Sequence, residues 1–137
     1  MTNLSKSLEF SLIIPTRFRA TSINKVFEDL QAQDASFEVV LFNDGACPDT
    51  QTLCQKEWGF PLTYLESKDH TNSCMSRNAC IDKSRGDWLV FLDDDVRIAP
   101  KFLLQVKETC KRHAIYSCCV KTPNNPPSTS IFRTWLE

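Results

Sequence analysis

The sequence predicts an α/β sandwich with a mostly parallel central sheet flanked by helices. Two patterns carry that expectation. Short apolar runs rich in β-branched and aromatic residues alternate with segments whose apolar residues recur at helical spacing. Such alternation implies parallel strands joined by right-handed helical crossovers. In addition, three of the apolar runs end on unusual residues: Pro15-Thr16-Arg17, Asn43-Asp44-Gly45 and Asp93-Asp94-Asp95. In an open α/β sheet these endings would share one edge, the edge where ligands bind.

The elements follow in order. Residues 9–15 (Glu-Phe-Ser-Leu-Ile-Ile-Pro) form the first strand. Ile23, Val26, Phe27 and Leu30 stand at i, i+3, i+4 and i+7, one face of a helix, which Thr21 or Ser22 can cap. Residues 37–42 form a second strand, and a short helix is expected from about Asp49 to Trp58, stopped by Gly59 and Pro61. Residues 62–65 are a third strand. Thr71 to Ser84 reads as a helix with Cys74, Asn78 and Ile81 on one face, ended by Arg85-Gly86. Residues 87–92 are the most hydrophobic strand, apolar on both faces as a central parallel strand would be. Pro100 opens a helix to about His113, with Leu103, Val106 and Cys110 inward, and Ile115 to Val120 is a last strand. Residues 1–122 then make one domain. Residues 123–137 are a Pro-Asn-rich loop and an apolar tail without a partner strand, which reads as an interrupted domain open to association with another chain.

Composition narrows the function classes. The chain has 137 residues, 16 Lys+Arg against 17 Asp+Glu and a formal net charge of -1, so no basic excess exists to bind nucleic acid. No run is long enough to cross a membrane as a helix, and residues 1–6 lack the apolar stretch of a signal peptide. A cytoplasmic protein is expected, at most peripheral to the inner face of a membrane. Its seven cysteines would then be reduced thiols packing as small hydrophobes. A zinc site from His70, Cys74 and Cys80 matches no common spacing. With three glycines in all, the chain has neither a phosphate-cradling glycine loop nor a G-x-G-x-x-G, which disfavours nucleotidyltransferases and dehydrogenases.

The three aspartates carry the chemistry. In extended backbone Asp93 and Asp95 share a face and Asp94 points away. Two carboxylates side by side repel, and a divalent cation such as Mg²⁺ or Mn²⁺ removes the conflict. Asp44, at a strand end beside that site, can accept a hydrogen bond from the N–H of a base. Arg77, on the preceding helix, can grip diphosphate oxygens, as Arg17 and Arg19 can from the first strand.

The motifs resemble those of family 2 glycosyltransferases. Residues 11–17 (S-L-I-I-P-T-R) resemble the opening strand, S-V-I-I-P-T-Y-N-R. Residues 39–45 (V-V-L-F-N-D-G) resemble I-I-V-V-D-D-G, with Asp49 near the last Asp of that motif. Residues 76–81 (S-R-N-A-C-I) resemble A-R-N-x-G-I, and residues 86–95 resemble G-E-Y-I-x-F-L-D-x-D-D. The likeness runs from about Phe10 to Val120. It implies a Rossmann-like GT-A fold, a nucleotide-diphospho-sugar donor that is often UDP-linked, an acceptor that is a glycan, lipid or protein, and inverting transfer. Carried over by position, Pro15, Thr16, Arg17, Asp44, Arg77, Asp93 and Asp94 form the donor-binding set. Asp93 and Asp95 hold the Mn²⁺ or Mg²⁺. Asn43 and Cys80 depart from the family pattern. No catalytic base can be named: His113 and Glu108 sit on the helix after the aspartates. The alternative is a non-catalytic remnant that keeps donor binding alone.

Overall fold

Four parallel strands make the sheet, in the order β3-β2-β1-β4. They are β1 (Phe10–Thr16), β2 (Phe37–Asp44), β3 (Leu62–Ser67) and β4 (Trp88–Phe91), linked by helices α1 (Ala20–Gln31), α2 (Pro48–Cys54) and α3 (Ser73–Lys83). The computed structural model describes residues 7–111, 114–118 and 132–134. Contacts divide the chain into two units, 1–103 and 104–137, and the sheet lies in the first. Helix α4 (Phe102–Thr109) begins at the end of the first unit. In the second unit β5 (Tyr116–Cys118) pairs antiparallel with β6 (Phe132–Thr134). No helix among the described residues is long and apolar enough to cross a membrane.

The α/β reading holds. β2 is buried at all eight positions, and β1 is buried except at Pro15, which is half-buried. These two strands occupy the middle and carry the near-continuous apolar sequence that double coverage demands. On one face, Ile13, Val40 and Phe42 pack with Cys80 of α3. On the other, α1 buries Ile23, Val26, Phe27 and Leu30. There Phe27 meets Trp58 edge-on at 5.0 Å and Phe60 at 5.6 Å, and Phe60 meets Phe37 at 5.4 Å.

Several expectations are corrected. The most apolar run, β4, is an edge strand among the described ones, with Leu89 39% and Phe91 51% exposed. Hydrophobicity on both faces marks a strand that is to be covered, but does not say where in the sheet it lies. Helix α1 starts at Ala20, with Arg19 at the cap position and no side-chain cap, so Thr21 and Ser22 fall inside the first turn. Helix α2 ends at Cys54. Trp58 lies beyond it and donates its indole N–H to the Leu53 carbonyl at 2.9 Å. Helix α3 turns Ser76 and Cys80 inward and leaves Cys74 and Asn78 exposed. Its apolar residues are too few to fix the phase of the helix. Residues 116–118 pair with 132–134 and not with the parallel sheet, so the apolar tail does contain a strand. Helix α4 stops at Thr109, short of His113, which lies outside the described residues.

A buried polar knot ties the strands at the end opposite the three aspartates. Glu38 is fully buried in β2. Its Oε1 accepts from the Ser11 hydroxyl at 2.7 Å and from the Arg85 backbone N–H at 2.6 Å. Its Oε2 accepts from Arg85 Nε at 2.9 Å and Nη2 at 2.7 Å. The Ser11 hydroxyl also accepts from the Gly86 N–H at 2.8 Å. A Cβ on Gly86 would lie 2.5 Å from the Phe10 carbonyl carbon, so only glycine lets the chain pass here into β4. Burial pushes the Glu38 carboxyl up, but the Ser11 and Arg85 bonds and the Arg85 charge outweigh it and hold the group below its ordinary value.

Candidate donor site

Strand order places the site. The chain steps from β1 to β2 to β3 in one direction, then returns to lay β4 on the other side of β1. The two crossovers leave β1 on opposite faces and open a crevice between the carboxyl ends of β1 and β4. Thr16 closes β1 there, and the acidic turn follows β4 directly. Pro15 is tolerated within β1 because β4 has already ended. The Ile13 carbonyl accepts the Leu92 N–H at 3.0 Å, so residues 13 and 15 both direct their backbone groups toward β4, and the last paired position is Ile13 with Phe91.

The acidic turn is bound across this crevice. Thr16 Oγ1 donates to Asp94 Oδ2 at 2.9 Å. Arg19 Nη1 donates to Asp94 Oδ1 at 3.1 Å and to Asp95 Oδ2 at 3.0 Å. Arg77 Nη2 donates to Asp93 Oδ1 at 3.3 Å. The alternation assumed from the sequence ends with the strand at Phe91, because Asp94 and Asp95 form a turn. Asp94 is therefore no spacer pointing away: its side chain is 12% exposed and anchored to β1. Asp93 and Asp95 project outward, 70% and 61% exposed, each balanced by a different arginine. The Asp94 charge, followed by its hydrogen bond and the Asp95 charge, raises the Arg19 guanidinium above its ordinary value.

A second corner lies at the end of β2. Asp44 is 9% exposed at its side chain, and Thr71 N–H donates to its Oδ1 at 2.8 Å. The Thr71 hydroxyl reaches the same oxygen at 3.4 Å, and His70 Nδ1 lies 2.6 Å from Oδ2. Burial pushes the Asp44 carboxyl up. The Thr71 N–H and the His70 contact overcome that and hold it below its ordinary value. Asn43, buried beside it, closes the turn into α2. Its amide donates to the Cys47 carbonyl at 2.9 Å and to Tyr64 Oη at 2.8 Å, and its Oδ1 accepts from the Cys47 N–H at 3.1 Å. A carboxylate could not make the two donations, which gives a physical reason for Asn at this position. Tyr64, partly buried and bonded to Glu66 at 2.6 Å, is pushed up to about 12.

Arg17 and Phe18 bridge the corners. Phe18 is 61% exposed and holds a left-handed φ of 52°, an uncommon conformation for a bulky residue. Its ring lies where a Cβ on Gly45 would stand, 2.9 Å from that position, and the Arg17 guanidinium sits 5.6 Å from the ring centroid. Gly45 itself has a φ of 90°. Thus Thr16, Arg77 and all three aspartates are joined through contacts at one crevice, Arg17 leans toward the Asp44 turn, and Pro15 supports β1. Sequence reading missed Phe18, His70 and Thr71 as parts of the site. The left-handed Phe and the loop between β3 and α3 left no pattern that would have marked them.

Comparison with known proteins fixes the family. The family model described as Glycosyl transferase family 2 matches residues 11–136. The chain belongs to that family. A glycosyltransferase of Haemophilus influenzae is 33% identical over 92 residues, covering 66% of this chain and 31% of that protein. The GalNAc(5)-diNAcBac-PP-undecaprenol beta-1,3-glucosyltransferase of Campylobacter jejuni is 24% identical over 124 residues, covering 85% of this chain and 40% of its own. The chain thus spans less than half the length of either relative. Among solved structures, residues 1–349 of S. aureus TarS in complex with UDP superpose with a TM-score of 0.73 at 21% identity, covering 88% of this chain and 38% of that one. The mannosyltransferase PcManGT from Pyrobaculum calidifontis, in complex with GDP-Man and Mn²⁺, gives 0.73 at 21% identity, covering 87% and 37%. Both show that the fold is that of the N-terminal part of GT-A glycosyltransferases.

The zinc arrangement finds no support. Cys80 is buried in the core with its thiol pushed up by burial to about 11, Cys74 is exposed, and His70 contacts Asp44. No group of three or more His, Cys, Asp or Glu able to hold a metal occurs among the described residues.

Proposed function

We propose that this chain binds the nucleotide-diphospho-sugar donor of an inverting family 2 glycosyl transfer. The observation that carries the reading is the convergence of Thr16, Arg19, Arg77 and the three aspartates on the crevice where strand order reverses, with the Asp44 corner one strand away. The base edge meets the Asp44 corner, the ribose and sugar lie toward Asp93, and the diphosphate lies by Arg77 and Arg19. UDP and GDP sugars are the candidate donors, since the two superposed structures hold UDP and GDP-Man.

A divalent cation fits the donor set. Asp93 and Asp95 offer exposed, hard carboxylate oxygens, and no larger protein cage is present among the described residues. One or two protein carboxylates completed by phosphate oxygens and water is the usual arrangement for Mg²⁺. The cation, when bound, supplies charge to offset the departing diphosphate. This chain's own residues hold and orient: Thr16 and Arg19 keep the acidic turn against β1, and Arg77 and Arg19 stand ready to exchange carboxylate for diphosphate oxygens. The acceptor would be a glycan, lipid or protein, and no residue is assigned as its catalytic base.

The test is thermal stability with UDP-glucose, UDP-GlcNAc or GDP-mannose at saturating Mn²⁺. A rise in Tm that is lost in Asp95→Ala supports the reading. No rise with any of the three removes it. Sugar transfer or donor hydrolysis by the chain alone separates an enzyme from a module that only binds.

A further inference from the structure

Asp44 carries most of the hydrogen bonds it can accept. A carboxylate offers about four lone-pair positions. Thr71 N–H and Oγ1 take Oδ1, and His70 takes Oδ2. With its side chain only 9% exposed, Asp44 presents little surface to a ligand. The imidazole that covers it is 60% exposed. An ionised carboxylate only accepts, so the proton of the 2.6 Å contact sits on His70 Nδ1. A neutral imidazole pinned in that way carries an acceptor lone pair on its other nitrogen, Nε2.

We infer that His70 is a specificity-determining residue of this site. Held in one tautomer by Asp44, it offers Nε2 as the acceptor that selects a nucleobase with a ring N–H. This deepens the donor-binding reading and rests on it. Uracil (N3–H) and guanine (N1–H) offer such a hydrogen. Cytosine and adenine place a bare ring nitrogen in the corresponding position, and two facing lone pairs repel. Thr71 supports the arrangement twice: its N–H fixes Asp44 Oδ1, and its hydroxyl lies 2.9 Å from Ser76 Oγ at the start of α3. Asp44 of β2 is the charged group recorded in contact with His70, and Lys68 and Asp69 flank it along its own loop.

The experiment is calorimetric titration of the whole chain with UDP, CDP, GDP and ADP, each with Mn²⁺, for wild type and His70→Ala. At about pH 8.5 the wild type is expected to bind UDP over CDP, or GDP over ADP, by tenfold or more. His70→Ala is expected to bring each pair within about threefold, by weakening UDP or GDP. The wild-type base preference needs no variant, and a melting curve checks that His70→Ala is folded. If Asp44 reads the base directly, removing His70 frees Oδ2 and UDP affinity rises or holds. That result, or a wild type that binds UDP and CDP alike and GDP and ADP alike, overturns the inference while leaving donor binding intact. Failure of all four diphosphates to bind overturns the donor-site reading and this inference together.

Discussion

Replacing Glu38 by alanine tests whether the knot beneath the sheet holds β4 in place. The carboxylate is fully buried and accepts four bonds, two from Arg85 side-chain nitrogens, one from the Arg85 N–H and one from Ser11. Removing it leaves the Ser11 hydroxyl short of an acceptor and the Arg85 N–H with only its longer contact to Ser11 Oγ at 3.3 Å, at about 1–3 kcal/mol for an unpaired group. It also empties the space of one methylene, about 0.8 kcal/mol. Breaking one side of a buried pair costs about 3–5 kcal/mol. Because the Arg85 side chain is 63% exposed and water can take over its charge, the lower end applies, about 3 kcal/mol. With an unfolding entropy of about 2.1 cal/mol/K per residue, that lowers Tm by roughly 10 °C. Urea unfolding followed by tryptophan fluorescence reads the change. Arg85→Ala keeps the Ser11 and backbone bonds to Glu38 and is expected to lose less, about 1–2 kcal/mol. A loss below about 1 kcal/mol for Glu38→Ala, or a larger loss for Arg85→Ala, would refute the account of the knot.

Other consequences can be measured in the same way. Gly86→Ala puts a Cβ 2.5 Å from the Phe10 carbonyl carbon, and an overpacking cost of about 1–3 kcal/mol is expected in denaturant midpoints. Asn43→Asp sets a carboxylate against the Cys47 carbonyl and abandons two donations, so it should destabilise by about 2–3 kcal/mol although the family pattern that the sequence resembles has Asp there. Asp29, Glu38 and Asp44 all titrate below their ordinary values of 3.8, 4.5 and 3.8 in the fold, Asp29 chiefly through its hydrogen bond to Arg97. Groups depressed in the folded state stabilise it fully above the unfolded values, and that contribution disappears as pH falls through the folded ones. Tm should therefore be flat at pH 6–7 and drop as pH falls below about 4.5, with a smaller drop in Asp29→Asn. Arg19→Ala frees Asp95 of its partner and should tighten Mn²⁺ binding without nucleotide up to about fivefold, the size of an exposed ion pair. Weaker Mn²⁺ binding in that variant would count against Asp95 as a cation ligand.

Much of the fold was legible because apolar periodicity and strand endings are local properties. Ile23, Val26, Phe27 and Leu30 announced α1, and Val39 to Phe42 announced β2. Strand order is not local. Nothing in Trp88-Leu89-Val90-Phe91 distinguishes an edge from a centre, so β4 was misplaced while its identity was right. Within the candidate site, Asp44 and the aspartates stood out by residue type at strand ends, and Arg77 by its place on the helix before β4. The direction of Asp94 was not, because it depends on where β4 stops and on the reach of Thr16 and Arg19. His70 and Thr71 were invisible for a related reason: they lie 26 and 27 residues from Asp44, and only the β2–β3 pairing brings their loop to it.

The reversal of strand order also makes the sheet a ruler. The Asp44 corner ends β2, the acidic turn follows β4, and β1 alone lies between them. Two strand spacings of about 4.8 Å separate the ends of β2 and β4 by roughly 10 Å. On the proposed donor reading, a nucleoside carrying a diphosphate has the length to reach from one strand end to the other. On that reading, the reach required of a ligand is set by backbone hydrogen-bond spacing, which side-chain substitution at either corner does not change.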